Sequence, residues 1–447
     1  MDKSIKIKKG LDLRLVGGID ADKAERRRFS PKRCAIVPDD FRGFIPKLEI
    51  KEGDVVKAGD PILRDKNHEA VKLTSPVSGK VESIVRGARR KIERIVIESD
   101  GKGDARKFDV KTSDPEAIRS LLAASGLWAK MRQRPYDIVP ADDAAFRDIF
   151  VSGIDSAPLA ADITADIDIN DAREGAKILT KITDGCVYIG LRENSSLDFS
   201  GIDRVVTVSV TGPHPAGNVG VQIANVKPVN KDEIVLTLDI TTLARIGKFF
   251  STGEVPYSTV VALTGSEVKN PKLVETIECA ELAPILEGEL SDTAHKRIIS
   301  GNVLTGTKVE ADGYLRFPYR QITVIPEGDD VADFLGWASL SLKKMSVSRS
   351  FPGHFLFKKR FAPDARILGG KRAMIMSGEY ERVFPMDILP EYLLKAIISR
   401  NIEQMEQLGI YEVAPEDFAL AEFVDSSKLE LQKIVEEGLE YLRKELD

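Results

Sequence analysis

The stretch of the chain best equipped to hold a small molecule is Gly126 to Tyr136, GLWAKMRQRPY. It sets Trp128, Met131 and Tyr136 among Lys130, Arg132 and Arg134. Rings and a thioether give contact area to a flat, partly apolar ligand, and guanidinium groups donate hydrogen bonds to its carbonyls. The same mixture also suits a tryptophan packed beneath a basic surface helix. A second stretch, Gly212-Pro213-His214-Pro215-Ala216-Gly217, places His214 in a loop whose prolines and glycines restrict the backbone. His214 there is either a ligand or partner contact or a residue held by local turns.

Other chemistry fails on residue type. The Gly212–Gly217 loop fits the first half of a phosphate loop, yet Asn218-Val219 stands where Lys and Ser/Thr would hold phosphate and magnesium. Two prolines also remove N–H donors that such a loop needs. No GxGxxG follows a predicted strand, so a dinucleotide site lacks its fingerprint. Asp166 to Asp171 begins like a calcium loop but lacks its glycine, and Lys177 stands at the position of the bidentate glutamate. No GxSxG elbow supports a serine nucleophile. Cys34, Cys186 and Cys279 lie far apart, too few for an iron–sulfur cluster, and His68, His214, His295 and His354 are equally scattered, so no metal site is expected. Lys66 follows Asp65 where a biotinyl or lipoyl carrier bears its group, but the spacing to the Ser75-Pro76 turn is too long and His68-Glu69 replace small residues. An unmodified surface lysine is expected.

The elements that must position these residues fall into four blocks. Residues 1–101 alternate short β-runs with glycine turns at Gly53, Gly59 and Ser78-Gly79, the layout of a biotinyl/lipoyl-like barrel. Residues 112–255 open with the capped helix after Ser113-Asp114-Pro115 and then alternate strands and helices, an α/β, Rossmann-like layer without its nucleotide fingerprint. Residues 256–330 read as a small β-grasp (SLBB-like) domain. Residues 331–447 read as a mainly helical domain, with one helix from Asp387 to Leu408 and another from Lys428 to Leu446 bearing a stripe of Leu429, Ile434, Val435, Leu439, Leu442 and Leu446. A multidomain α/β and α+β chain follows.

A composition of 43% hydrophobic and 30% charged residues is that of a soluble globular protein. The net charge of −5 argues against nucleic acid as a partner. The N-terminus lacks a secretory h-region, and the longest charge-free run, Val205 to Val226, is broken by Pro213 and Pro215. Membrane association is therefore expected to be peripheral.

Strings from end to end resemble the A subunits of the sodium-translocating NADH:quinone reductases. They include IKIKKGLDL (Ile5 to Leu13), SGLW (Ser125 to Trp128), TGPHPAGNVG (Thr211 to Gly220), RIISGNVLTG (Arg297 to Gly306), Leu335-Gly336-Trp337 and ERVFPMDILP (Glu381 to Pro390). That family is similar in architecture to the flavin subunit of respiratory complex I and to the C subunit of the Rnf complex. Where those relatives have a flavin loop, this chain has Ser125 to Tyr136 with bulky Trp128, Met131 and Arg132, and no cysteine follows Cys279. The resemblance implies an accessory subunit on the cytoplasmic face of the bacterial inner membrane, soluble when isolated and without a redox cofactor of its own. Its partners would be integral membrane subunits and the subunit that oxidises NADH with flavin and an iron–sulfur centre. Quinone, either ubiquinone or menaquinone, would be the substrate of the complex. Trp128, Arg132, Arg134 and Tyr136 become the expected quinone contacts, with His214 beside them and none acting as acid, base or nucleophile. A purely structural scaffold that binds no small molecule is the alternative.

Overall fold

The computed structural model describes residues 3–20, 24–293, 295–331, 340–347, 350–356 and 358–446. Short runs of Val, Ile and Leu between Asp148 and Asp239 build four strands of a six-stranded sheet. Its spatial order is Lys3–Lys6, Val205–Thr211, Val187–Arg192, Asp148–Ser152, Val235–Asp239, Arg132–Arg134. All neighbours are parallel except the last pair. Successive side chains of a strand face opposite ways, and the sheet buries both faces. Ile149, Val151, Val187, Ile189, Leu236 and Leu238 enter a core shared with the N-terminal barrel. Phe150, Tyr188, Val208, Val210 and Val235 enter a second core shared with the C-terminal helices.

On the first face lie the helices Ile169–Leu179 and Ile240–Thr252, capped by Asp168 on Asn170 N (2.8 Å) and Asp239 on Thr242 N (2.7 Å). They touch backbone to backbone. A Cβ on Gly247 would stand 1.8 Å from Asp171 O, and one on Gly175 2.1 Å from Leu243 O, so only glycine fits at the crossing.

The barrel pairs a four-stranded sheet (Arg33–Ile36, Ile92–Ser99, Gly79–Arg86, Val55–Val56) with a three-stranded one (Pro46–Leu48, Pro61–Asp65, Lys72–Thr74). Two similar turns feed it. Gly53 and Gly59 both sit at φ 92°, and Asp54 and Asp60 accept from Lys51 N and Lys57 N at 2.8 Å. Lys66 is exposed in the next hairpin, where Asp65 accepts from the backbone of Ile45, Asn67 and His68.

A third sheet runs Thr307–Val309, Lys296–Ser300, Gln321–Pro326, Ser258–Thr264, Lys272–Ile277, Arg26–Arg28. Two strands thus leave the block 1–101 in which the sequence pattern places them. Lys3–Lys6 completes the α/β sheet beside Val205–Thr211, and Arg26–Arg28 adds to the third sheet beside Lys272–Ile277. Both are edge additions from a distant segment, which local alternation does not encode.

The C-terminal block also departs from expectation. The described residues between Leu340 and Leu389 form short 3₁₀ turns and an isolated bridge from Phe361 to Leu15, and α-helices resume at Pro390. The single helix expected over Asp387 to Leu408 is two, Pro390–Ile398 and Ile402–Gln407. They are broken where Arg400 takes φ 54° and Asn401 caps Gln404 N. The last helix, Leu431–Leu446, buries Val435, Leu439 and Leu442 in the second core, while Leu446 is exposed. Trp337 and its neighbours lie outside the described residues. No helix among the described residues is long and apolar enough to cross a membrane.

Candidate functional site

Strand order reverses at one place. From Asp148–Ser152 the chain steps sideways to Val187–Arg192 and Val205–Thr211, then returns to place Val235–Asp239 on the opposite flank. In open α/β sheets, ligands bind outside the carboxyl ends of the strands at such a reversal. Here a cleft of about 480 Å³ opens at that point. Its floor is Ser152, Thr237 and Asp239, and its walls come from the barrel (Asp40, Arg42), the third domain (Arg316 to Gln321) and the C-terminal block (Glu416, Gln432). Four parts of the chain meet there.

The sequence candidates divide sharply. Arg132 and His214 line the cleft, whereas Trp128, Arg134 and Tyr136 do not. Register explains the split between the two arginines. The strand Arg132–Arg134 runs antiparallel to Val235–Asp239, with Arg132 opposite Thr237 and Arg134 opposite Val235. Arg132 therefore stands nearer the carboxyl end of its neighbour, where the cleft opens, and Arg134 lies two residues further toward the amino end. Arg134 is wholly buried, bound to Asp417 Oδ2 (2.6 Å), Glu416 Oε1 (3.0 Å) and Glu412 O (3.3 Å). Trp128 is also wholly buried. Its Nε1 donates to Pro140 O at 2.9 Å, and its ring packs on Phe146 under the Arg119 guanidinium, so it has no face to offer a ligand. Tyr136 adopts φ 78° and meets Tyr411 edge-on at 6.5 Å.

Arg132 is half-buried and donates to Ala129 O, Met131 O and Asp40 O (2.7 Å). Its guanidinium lies 5.6 Å from the ring of Phe317, which stacks on Phe41 at 4.9 Å. Burial lowers its pKa without discharging it, because an arginine starts so high. His214 is held from several sides. Its N–H donates to Asp12 Oδ1 (2.8 Å), and its Nδ1 lies 3.0 Å from Ser156 Oγ. That oxygen also accepts from Gly217 N at 2.8 Å. Nε2 is buried without a partner. Burial, opposed by Asp12, lowers the His214 pKa to about 4, so the ring is neutral near pH 7.

The remaining cleft charges come from segments that local patterns did not mark. Arg316 clamps Asp40 through Nε and Nη2 (2.6 Å to the latter), and Arg320 reaches Asp239 at 2.9 Å with its own Nε buried and unpartnered. Burial pushes Asp40 upward against the opposing Arg316. Burial would also raise Asp239, but Arg320 and the Thr242 N–H outweigh it and hold the carboxyl low. Arg316-Phe317-Pro318-Tyr319-Arg320 mixes aromatics and cations as Arg132 to Tyr136 does, and the same compositional criterion finds it.

Elsewhere, the one group of three ligand-type side chains close enough for a metal ion among the described residues is His68, Asp142 and Asp143, largely exposed. Burial raises the Cys34 thiol well above its ordinary value and pushes Cys279 up to about 12, so neither is a ready thiolate.

The fold and cleft define a multidomain α/β protein with an N-terminal barrel-sandwich unit, and three family models match its parts. Residues 5–100 match the NqrA N-terminal barrel-sandwich hybrid domain, 113–255 the NqrA second alpha/beta domain, and 260–311 the NQRA C-terminal domain. Curated relatives named as the A subunit of Na(+)-translocating NADH-quinone reductase are similar along the whole length. The Actinobacillus succinogenes protein is 37% identical, and those of Pasteurella multocida and Neisseria meningitidis serogroup C are 36% identical, each over 99% of this chain and 100% of the relative. The chain belongs to the NqrA family, the A subunits of Na(+)-translocating NADH-quinone reductase. A solved NAD+-reducing [NiFe]-hydrogenase chain aligns over 74% of this chain and 61% of its own at 12% identity and a TM-score of 0.39, too slight a likeness to inform the fold.

Proposed function

We propose that the chain is the A subunit of a Na+-translocating NADH-quinone reductase and that its cleft holds the quinone head group. The complex is an oxidoreductase, and this subunit works without a redox cofactor of its own. On this reading it is peripheral, on the cytoplasmic side, bound to the membrane subunits and to the subunit that oxidises NADH. The barrel is then lipoyl-like, the α/β layer a Rossmann relative, the third domain a β-grasp, and the whole akin to the flavin subunit of complex I and the C subunit of the Rnf complex.

The observation that carries the quinone role is Arg132 beside Phe317 at the mouth of the sheet reversal. A guanidinium has five N–H donors, and three backbone carbonyls leave donors for a ligand carbonyl. Phe317, already stacked on Phe41, adds apolar contact to the cleft lining, and about 480 Å³ accommodates a substituted ring.

Calorimetric titration of the purified chain with a short-chain, water-soluble quinone tests this. Saturable binding with a dissociation constant on the order of micromolar, about −8 kcal/mol, is expected. Arg132→Ala should weaken it roughly tenfold, about 1.4 kcal/mol. Absence of saturable heat would leave the chain with a scaffold role only, and identical affinity in the variant would put the quinone away from Arg132.

A further inference from the structure

We propose that the exposed face carrying Leu340, Leu342, Lys343, Phe355, Lys358 and Arg360 is the docking surface for another subunit of the same complex, one that presents an acidic and apolar face. The inference rests on membership of the complex but not on the quinone site.

Charge is the first observation. Between Asp333 and Asp364 the chain has no carboxylate, yet it carries Lys343, Lys344, Arg349, Lys358, Lys359 and Arg360. The protein as a whole is at −5, so this stretch is a strongly positive island in an acidic molecule. Lys343, Lys358 and Arg360 are exposed and have no ion-pair partner among the described residues. The second observation is apolar exposure in the same place. Leu340 is 87% exposed, Phe355 70% and Leu342 55%. Large apolar side chains gathered on a surface mark an interaction site.

Neighbouring residues hold this face in place. Phe351 and Phe361 are buried, and Phe361 exchanges backbone hydrogen bonds with Arg14 (2.8 Å) and Val16 (2.9 Å). Lys359 Nζ donates to Leu342 O at 3.1 Å, and Gly353 lies so close to Lys344 O that a Cβ there would be 2.1 Å away. Apolar side chains are therefore sorted, with two phenylalanines inward as anchors and Leu340, Leu342 and Phe355 outward.

Three occupants could cover such a face. A second copy would bring two positive islands together, which like-charge repulsion opposes. An anionic bilayer would attract these cations but repel a chain that carries −5 as a whole. A protein surface with carboxylates around an apolar patch meets both observations, since charges set the register and steer encounter while apolar anchors are desolvated.

The test uses the reductase purified with its subunits and the same complex stripped of this one. Wild-type chain should rebind the stripped complex, and its affinity should fall steeply as salt rises. K343E/K358E/R360E should keep the wild-type melting temperature yet bind at least tenfold more weakly, and Leu342→Ser/Phe355→Ser should do likewise with less salt dependence. Failure of the wild type itself to rebind would count against complex membership, not against this surface. Unchanged rebinding by both variants would overturn the proposal. So would wild-type binding to protein-free phosphatidylglycerol vesicles that the charge-reversed chain loses, since the surface would then be a lipid site.

Discussion

Replacing Arg134 by methionine should be among the most damaging single changes on the face that joins the α/β sheet to the C-terminal block. The guanidinium is wholly buried, and its closest partner, Asp417, is 3% exposed. Asp417 Oδ2 accepts from Arg134 at 2.6 Å and from Ala414 N at 2.9 Å, so without the arginine one N–H remains to compensate a carboxylate out of water. Breaking a buried pair from one side costs about 3–5 kcal/mol, because the surviving charge stays desolvated. At roughly 2–4 °C per kcal/mol for a unit of 150–250 residues, the corresponding thermal transition should fall by roughly 6–20 °C. Methionine keeps most of the volume, so cavity formation is a minor part of that loss. The cause is separable by charge removal. Arg134→Met/Asp417→Asn should recover at least half of the loss, whereas Arg134→Met/Glu416→Gln should recover little, because the Glu416 side chain is 41% exposed and water can solvate it. Circular dichroism melts of the four proteins decide the matter. A drop under about 1 kcal/mol for the single variant, or no recovery with Asp417→Asn, would refute the reasoning.

Three further outcomes are expected. His214 has a folded pKa near 4, below its unfolded value, so the unfolded chain binds the extra proton. Stability should therefore fall as pH drops from about 6.5 to 4, by up to about 3 kcal/mol, and His214→Gln should flatten that limb of the profile. Gly247→Ala should force apart the helices Ile169–Leu179 and Ile240–Thr252, with a loss of about 1–3 kcal/mol or more in denaturant titration; a neutral result would mean that the crossing is looser than 1.8 Å implies. The intact mass should equal that of the sequence, and an added group located to Lys66 would contradict an unmodified hairpin.

Residues whose partners are close in sequence were readable in advance. The alternation of Val, Ile and Leu between Asp148 and Asp239 encodes buried parallel strands, and Gly53 and Gly59 encode tight turns through their positive φ. The candidate site was readable only by composition. Arg132 and Arg134 are two residues apart on the same strand, and nothing local says which meets the cleft and which meets Asp417. That depends on the register against Val235–Asp239, about a hundred residues later. Trp128 was ambiguous for a related reason, since an aromatic beside cations suits a ligand platform and a capped core equally until Phe146 and Pro140 close over it. Asp40 carries no local signal, since three-dimensional closure brings it to the cleft, whereas Arg316 and Arg320 lie in a segment whose composition of aromatics and cations does mark it.

The placement of the first strands constrains how the chain can mature on the ribosome. Lys3–Lys6 emerges early but cannot pair until Val205–Thr211 has been made, and Arg26–Arg28 must wait for Lys272–Ile277. Between them and those late partners lies the barrel, whose own strands, Arg33 to Ser99, find each other within the segment. The barrel can thus form early while the N-terminal tail stays unpaired, and closure of the tail onto two later sheets locks the finished parts together. A chain truncated after the barrel would keep its fold but carry two orphan strands as sticky ends, whereas removal of the first thirty or so residues would leave two sheet edges open to foreign strands.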